Sequence, residues 1–117
     1  MTTQTAFDFM RPAFTAAEPT RFRIDLTDKT YGPHCEIAVM QNDNGTWAKQ
    51  VGYQISYMGM GGPFYGSYPS AEAALESAVE YFRHSFQRTL DNPCSVQSDR
   101  DRVHLRRLLA RLDEVSA

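Results

Sequence analysis

No stretch of this chain approaches the ~20 consecutive apolar residues that a membrane-spanning helix requires. The N-terminus, MTTQTAFDFMRPAF, has no basic start followed by an apolar core, so it lacks the form of a secretory signal. Cysteine is scarce. Cys35 and Cys94 stand in unrelated contexts, no framework of spacings supports a disulfide, and reduced thiols in a cytoplasm, bacterial or host, are expected. C-x-x-C, H-x-x-x-H and H-E-x-x-H are all missing, so neither a metal nor a cofactor is expected. Lysine is missing from residue 50 onward. Gly59-Met60-Gly61-Gly62 therefore lacks the Gly-Lys-Ser/Thr of a phosphate-binding loop, and Pro63-Phe64-Tyr65 follows instead. Excess charge of either sign is also lacking. Twelve Lys plus Arg against 14 Asp plus Glu argue against coating nucleic acid through bulk charge.

What is present suits one compact domain. A length of 117 residues with 42% hydrophobic content excludes a second full-sized domain, and seven Phe with six Tyr exclude global disorder. Residues 1–20 carry Pro12 and Pro19 with Phe7, Phe9, Met10 and Phe14, and are expected to form an extended arm that docks its aromatics on the domain or on a partner. From 21 to 117 the pattern predicts a single α+β domain, an antiparallel meander of three or more strands followed by two C-terminal helices.

Period-two alternation marks the strands. Phe22, Ile24 and Leu26 share one face of 21–27, and Cys35, Ile37 and Val39 one face of 34–41. Asn44-Gly45 then supplies a strong hairpin signal. In 46–58, Trp47, Val51, Tyr53, Ile55 and Tyr57 share a face with a single intruder, Lys49. Thirteen residues exceed a typical strand, so Gly52 is expected to mark a bulge or bend. Residues 59–69 read as a loop rich in glycine and aromatics.

Ser70 is placed to cap a helix over 70–88, with Leu75, Ala78, Val79, Phe82 and Phe86 in one apolar stripe. Ser98 is placed to cap a second over 98–115, with Asp101 three residues on and Leu105, Leu108, Leu109, Leu112 and Val115 in one arc. That arc predicts a possible homodimer, with Leu105, Leu108 and Leu112 at the seam.

Catalytic constellations are weak. His34 and Cys35 are strand neighbours and point to opposite faces, so they cannot form a nucleophile–base pair. His84 and His104 stand in other elements, and Cys35 reads as a small core residue. No catalytic residue is assigned and a non-enzymatic protein is expected.

Two stretches are candidates for contact. Segment 52–68 sets Tyr53, Tyr57, Met58, Met60, Phe64, Tyr65 and Tyr68 among five glycines with no charge, the composition of a protein-interface core. Met58, Met60, Phe64 and Tyr65 are the candidate partner-binding residues there, and Met60, Phe64 and Tyr65 are expected to be exposed. On the second helix Arg100, His104, Arg107 and Arg111 align at i, i+4, i+7 and i+11. That stripe is either a solvated face partly neutralised by Asp99, Asp101, Asp113 and Glu114, or a grip for an acidic partner or phosphates.

FDFMRPAF and VGYQISYMGMGGPFYGSYPSAEAALESAVEYF resemble short accessory proteins of bacterial plasmids, integrative elements and phages, over about a third of the chain. The resemblance implies a small non-enzymatic inhibitor of host defence, of the anti-restriction or anti-CRISPR kind, that acts by binding a protein. The junction from Gly66 to Ala74 looks like the strand-to-helix junction of AP2-type DNA-binding domains, whose sheet lies in the major groove. It implies an alternative, a small DNA-binding regulator that uses the sheet (Arg21, Arg23, Lys49) or the arginine-rich helix.

Overall fold

The computed structural model describes residues 4–5, 18–29, 32–55, 58–92 and 98–116. The chain is an α+β domain in which an antiparallel meander is followed by two C-terminal helices. In chain order the elements are β1 (Gln4–Thr5), β2 (Thr20–Asp25), β3 (His34–Gln41), β4 (Trp47–Ile55), β5 (Met58–Met60), β6 (Tyr65–Tyr68), α1 (Ala71–Asp91) and α2 (Asp99–Ser116). Phe7, Phe9, Met10 and Phe14 of the expected arm lie outside the described residues, as do Tyr57, Cys94 and the side chains of Met58 and Val115.

The meander follows the alternation. β2 pairs antiparallel with β3 and β3 with β4, setting Phe22 opposite Ile37 and Ile37 opposite Val51. Those residues, with Ile24, Cys35, Val39 and Ile55, form the buried face of the sheet. The hairpin between β3 and β4 closes at Asn44-Gly45, where Gly45 adopts φ +88° and Asn42 N–H donates to the Thr46 carbonyl at 2.7 Å. β1 adds a short parallel edge beside β2, with Gln4 opposite Phe22.

Two expectations about the third strand are corrected. It ends at Ile55, and Met58 opens β5, so 59–69 is not simply a loop. β5 and β6 both pair antiparallel with β4, one along each half of its far edge. Gly52 also marks no bulge, because its pairing with Glu36 belongs to an unbroken β3–β4 register. Its small size serves a close approach. A Cβ at Gly52 would stand 3.1 Å from the Met60 carbonyl oxygen, so a side chain there would press β5 off β4.

α1 begins where the cap requires. Ser70 keeps extended backbone and its Oγ accepts from Ala73 N–H at 3.1 Å. Ala74, Leu75, Ala78, Val79, Phe82 and Phe86 recur at helical spacing and are buried across β3 and β4. Phe82 and Phe86 stack at 5.2 Å, and the Tyr53 ring meets Phe86 edge-on at 5.3 Å. α2 starts at a second cap, with Ser98 Oγ accepting from Asp101 N–H at 3.1 Å.

α2 packs against α1 through Leu105, Leu108 and Leu112, all buried within the chain's own core. Those three leucines are therefore turned to their own domain rather than to a seam with a second chain. Arg83 Nε to Asp113 Oδ1 (3.1 Å) and Arg102 Nη1 to the Leu90 carbonyl (3.1 Å) tie the helices at their surface. The second contact places a cation on a last-turn carbonyl of α1, where the helix dipole favours it.

Candidate functional site

The far edge of β4 carries the least regular part of the sheet. Pro63, which has no N–H to give a ladder, lies in the break between β5 and β6. Side-chain amides take over across that break. Gln50 Nε2 donates to the Gly62 carbonyl at 2.7 Å, and Asn42 Nδ2 donates to the Gly66 carbonyl at 3.1 Å. Gln50 is itself held from β2 by Arg21 Nη1 at 3.3 Å, reaching across Ala38, whose methyl leaves the path open.

The break decides where the aromatics point. Trp47 stands opposite Tyr68 and Lys49 opposite Tyr65, so β6 spends three residues where β4 spends two. In a regular strand Tyr65 and Tyr68 would face opposite sides. The extra residue, with Gly66 at φ +96°, brings both rings round to the same lysine. Lys49 Nζ lies 5.2 Å from the Tyr65 ring, 5.4 Å from Tyr68 and 5.9 Å from Tyr81.

Lys49 is only 5% exposed, because it belongs to the core face of β4. Its ammonium donates to Ser77 Oγ at 2.7 Å, and the Ser77 hydroxyl bonds Tyr68 Oη at 2.9 Å. Among the described residues no carboxylate pairs with it. Ring faces and one hydroxyl thus replace the counter-ion that a buried charge normally finds. The hydrogen bond from Ser77, and then the adjacent lysine, hold the Tyr68 phenol below its ordinary range. The arrangement can hold a desolvated positive charge directly beneath an aromatic surface.

The candidate residues fall into two groups on different elements. Tyr65 is 44% exposed and Phe64 is half-buried beside it. Met60 does not stand out as expected. It packs against the core and its sulfur accepts from Tyr81 Oη at 3.2 Å, because β5 pairs with β4 and turns that side chain inward. Met58 pairs with Ile55 through its backbone. On α2, Arg100 and Arg107 are exposed, while Arg111 is half-buried with its Nε 3.8 Å from Glu114 Oε2. β6 lies against β4 and α1, and α2 lies against α1.

Sequence reasoning placed Lys49 only on the candidate DNA-reading sheet and Tyr68 only in the aromatic composition of 52–68, and it left Ser77 and Tyr81 without a role. A signal for the first was present, since a lysine in the apolar half of an alternating strand requires a buried partner. Its partners are distant along the chain and carry no local mark.

Cys35 is fully enclosed, and burial, then the Asp25 carboxylate, push its thiol up to about 12. It stays protonated at neutral pH, unlike a thiolate nucleophile. Among the described residues no cluster of three His, Cys, Asp or Glu could hold a metal ion, and no helix is long and apolar enough to cross a membrane. No family model, curated protein or solved structure matches the chain.

Proposed function

We propose that this chain is a non-enzymatic protein-binding module that presents the β5–β6 edge to a protein partner, with Tyr65 and Phe64 at the centre of the contact. The resemblance to accessory proteins of mobile elements suggests the form: an inhibitor of a bacterial defence complex, CRISPR or restriction, acting in the cytoplasm. One observation supports this reading above the others. Tyr65 stands exposed in a segment, 58–68, without a single charged residue, directly over the buried Lys49 ammonium. An amphipathic aromatic backed by a desolvated cation matches the residues that dominate binding energy at interfaces.

A DNA-binding regulator is the second reading. Arg100 and Arg107 favour it, being exposed on one helix with no ion-pair partner among the described residues. A homodimer through α2 would have to use its outward side, where Val103 is 48% exposed.

Titration against reconstituted restriction and CRISPR effector complexes, and against duplex DNA, separates these readings. Phe64→Ala and Tyr65→Ala should each weaken protein binding by about 1–2 kcal/mol, roughly 5- to 30-fold, with Phe64→Ala leaving unfolding stability little changed and Tyr65→Ala lowering it by about 1 kcal/mol through the lost ring contact with Lys49. Binding of DNA that falls steeply with salt and is lost in Arg107→Ala and Arg111→Ala, with the loop variants unaffected, makes the regulator the right answer.

A further inference from the structure

Lys49, Ser77 and Tyr68 form a chain of donors that runs from the core toward the surface. Lys49 Nζ can only donate, and it gives to Ser77 Oγ at 2.7 Å. The Ser77 hydroxyl gives in turn to Tyr68 Oη at 2.9 Å. Tyr68 is half-buried, and among the described residues its own hydroxyl proton has no acceptor. Each link polarises the next, so the charge buried on Lys49 strengthens a donor at the edge of the sheet.

That charge is unbalanced on the chain's own side. Among the described residues no carboxylate pairs with Lys49, and Glu80 of α1 is engaged by Arg83. Segment 58–68, which supplies two of the rings around the ammonium, carries no charge. Ser77 first, and then Lys49, draw the Tyr68 phenol below its ordinary range against the effect of its partial burial, and no described carboxylate opposes them. In the free chain, water over Tyr65 and Tyr68 screens the ammonium. A docked partner removes that water.

Three kinds of partner group can cover the edge. An apolar side chain alone displaces the screening water and leaves the Tyr68 O–H unmet, which is costly on both counts. An arginine or lysine meets the ammonium that already occupies the rings. A carboxylate accepts the Tyr68 proton in a charge-assisted bond and supplies the negative charge that Lys49 lacks. A phosphate shares that chemistry. A nucleic-acid backbone, however, is held by accessible basic side chains, and here the cation is buried beneath an uncharged segment.

Building on the protein-binding reading, we infer that the partner sets an Asp or Glu side chain on Tyr68 Oη, with apolar neighbours on Tyr65 and Phe64. Tyr65, 44% exposed, and the half-buried Phe64 beside it offer those neighbours an apolar surface. The recognised element is an acidic protein segment with apolar residues next to its acid.

A displayed library of random dodecapeptides, selected on the immobilised full chain, tests this. Enriched peptides should carry Asp or Glu at one fixed position beside apolar residues. Synthesised singly, each should bind the unmodified chain about ten-fold or more weaker once that acid is changed to Asn or Gln. This comparison does not depend on any variant folding. Binding should weaken likewise in Tyr65→Ala and in Tyr68→Phe, which keeps the ring and removes the donor. The assignment fails, with the protein-binding reading intact, if the selected peptides need Tyr65 but bind equally well without their acid. It fails also if acid-dependent peptides bind Tyr65→Ala and Tyr68→Phe as well as the unmodified chain, because they then sit elsewhere. If no peptide is enriched the assignment falls, and the titration against effector complexes decides the reading separately. Saturable shifts of the Tyr68 ring signals in NMR with orthophosphate or duplex DNA, and none with acidic peptides, would give the edge to a phosphate instead.

Discussion

Lys49 Nζ donates to the Ser77 hydroxyl across 2.7 Å, so a cation on β4 is anchored by α1 and, among the described residues, not by a carboxylate. Three tyrosine rings close around the same ammonium, two of them supplied by the irregular strand β6. This contact links the β5–β6 edge to the core. It fixes where Tyr65 stands, and through Ser77 it joins that edge to the helix that covers the sheet.

Removing the hydroxyl exposes what it does. Ser77→Ala should destabilise the fold by about 1–3 kcal/mol, since it takes a hydrogen-bond acceptor at 2.7 Å from a buried ammonium. Lys49→Met, of similar length and without charge, should largely abolish the effect of Ser77→Ala when the two are combined. Urea unfolding of the four proteins in the cycle measures the coupling. Simple additivity would show that the two side chains act independently.

Phe82 tests the core. It is fully buried between Phe86, Tyr53 and Tyr81. Phe82→Ala should cost about 3–5 kcal/mol through lost burial and the cavity left behind. A loss under ~1 kcal/mol in equilibrium unfolding would mean that α1 does not seal the sheet through this stripe.

Leu108 tests where α2 finds its apolar partner. Because it is buried in its own chain, Leu108→Ala should cost about 2–5 kcal/mol. The sedimentation mass should be the same as for the unmodified chain at every protein concentration. A shift in mass with this substitution would place Leu108 at a seam between chains.

Cys35 gives the fold a pH signature. Its ordinary value of 9.0 is raised to about 12 in the folded chain, by burial first and then by Asp25. The folded state therefore holds its proton where the unfolded state releases it. The stabilisation is complete below about pH 9 and is lost as pH rises through the window toward 12. Unfolding free energy should fall across that window by up to about 1.4 kcal/mol per pH unit more in the unmodified chain than in Cys35→Ala. Parallel pH curves for the two would contradict it.

How much of this was legible in sequence follows from which signals are local. His34–Gln41 and the two capped helices were marked by alternation, by Ser70 and Ser98, and by stripes such as Leu75-Val79-Phe82-Phe86. β5 and β6 were not, because Gly59, Gly61, Gly62 and Gly66 erase the alternation, and the strands exist only through pairing with β4 and the reach of Gln50 and Asn42. β1 is two residues long and rests on a parallel partner more than fifteen positions away. The role of Gly52 was misjudged for a similar reason. A lone glycine in a strand signals either a bulge or a close neighbour, and the neighbour here, the Met60 carbonyl, is set by a hairpin that local patterning did not reveal. Lys49 was conspicuous without its partners, since Tyr65, Tyr68, Ser77 and Tyr81 come from β6 and α1 and reach it only through the tertiary fold.

The central claim is that Tyr65 anchors a protein partner belonging to a defence system. Its most direct test is phage plating on a bacterium that carries an active restriction or CRISPR system and expresses this chain. Expression of the unmodified chain should restore plaques of a targeted phage, and Tyr65→Ala, present at the same soluble level, should fail to do so. Full restoration of plaques by Tyr65→Ala, or none by the unmodified chain, would contradict the account.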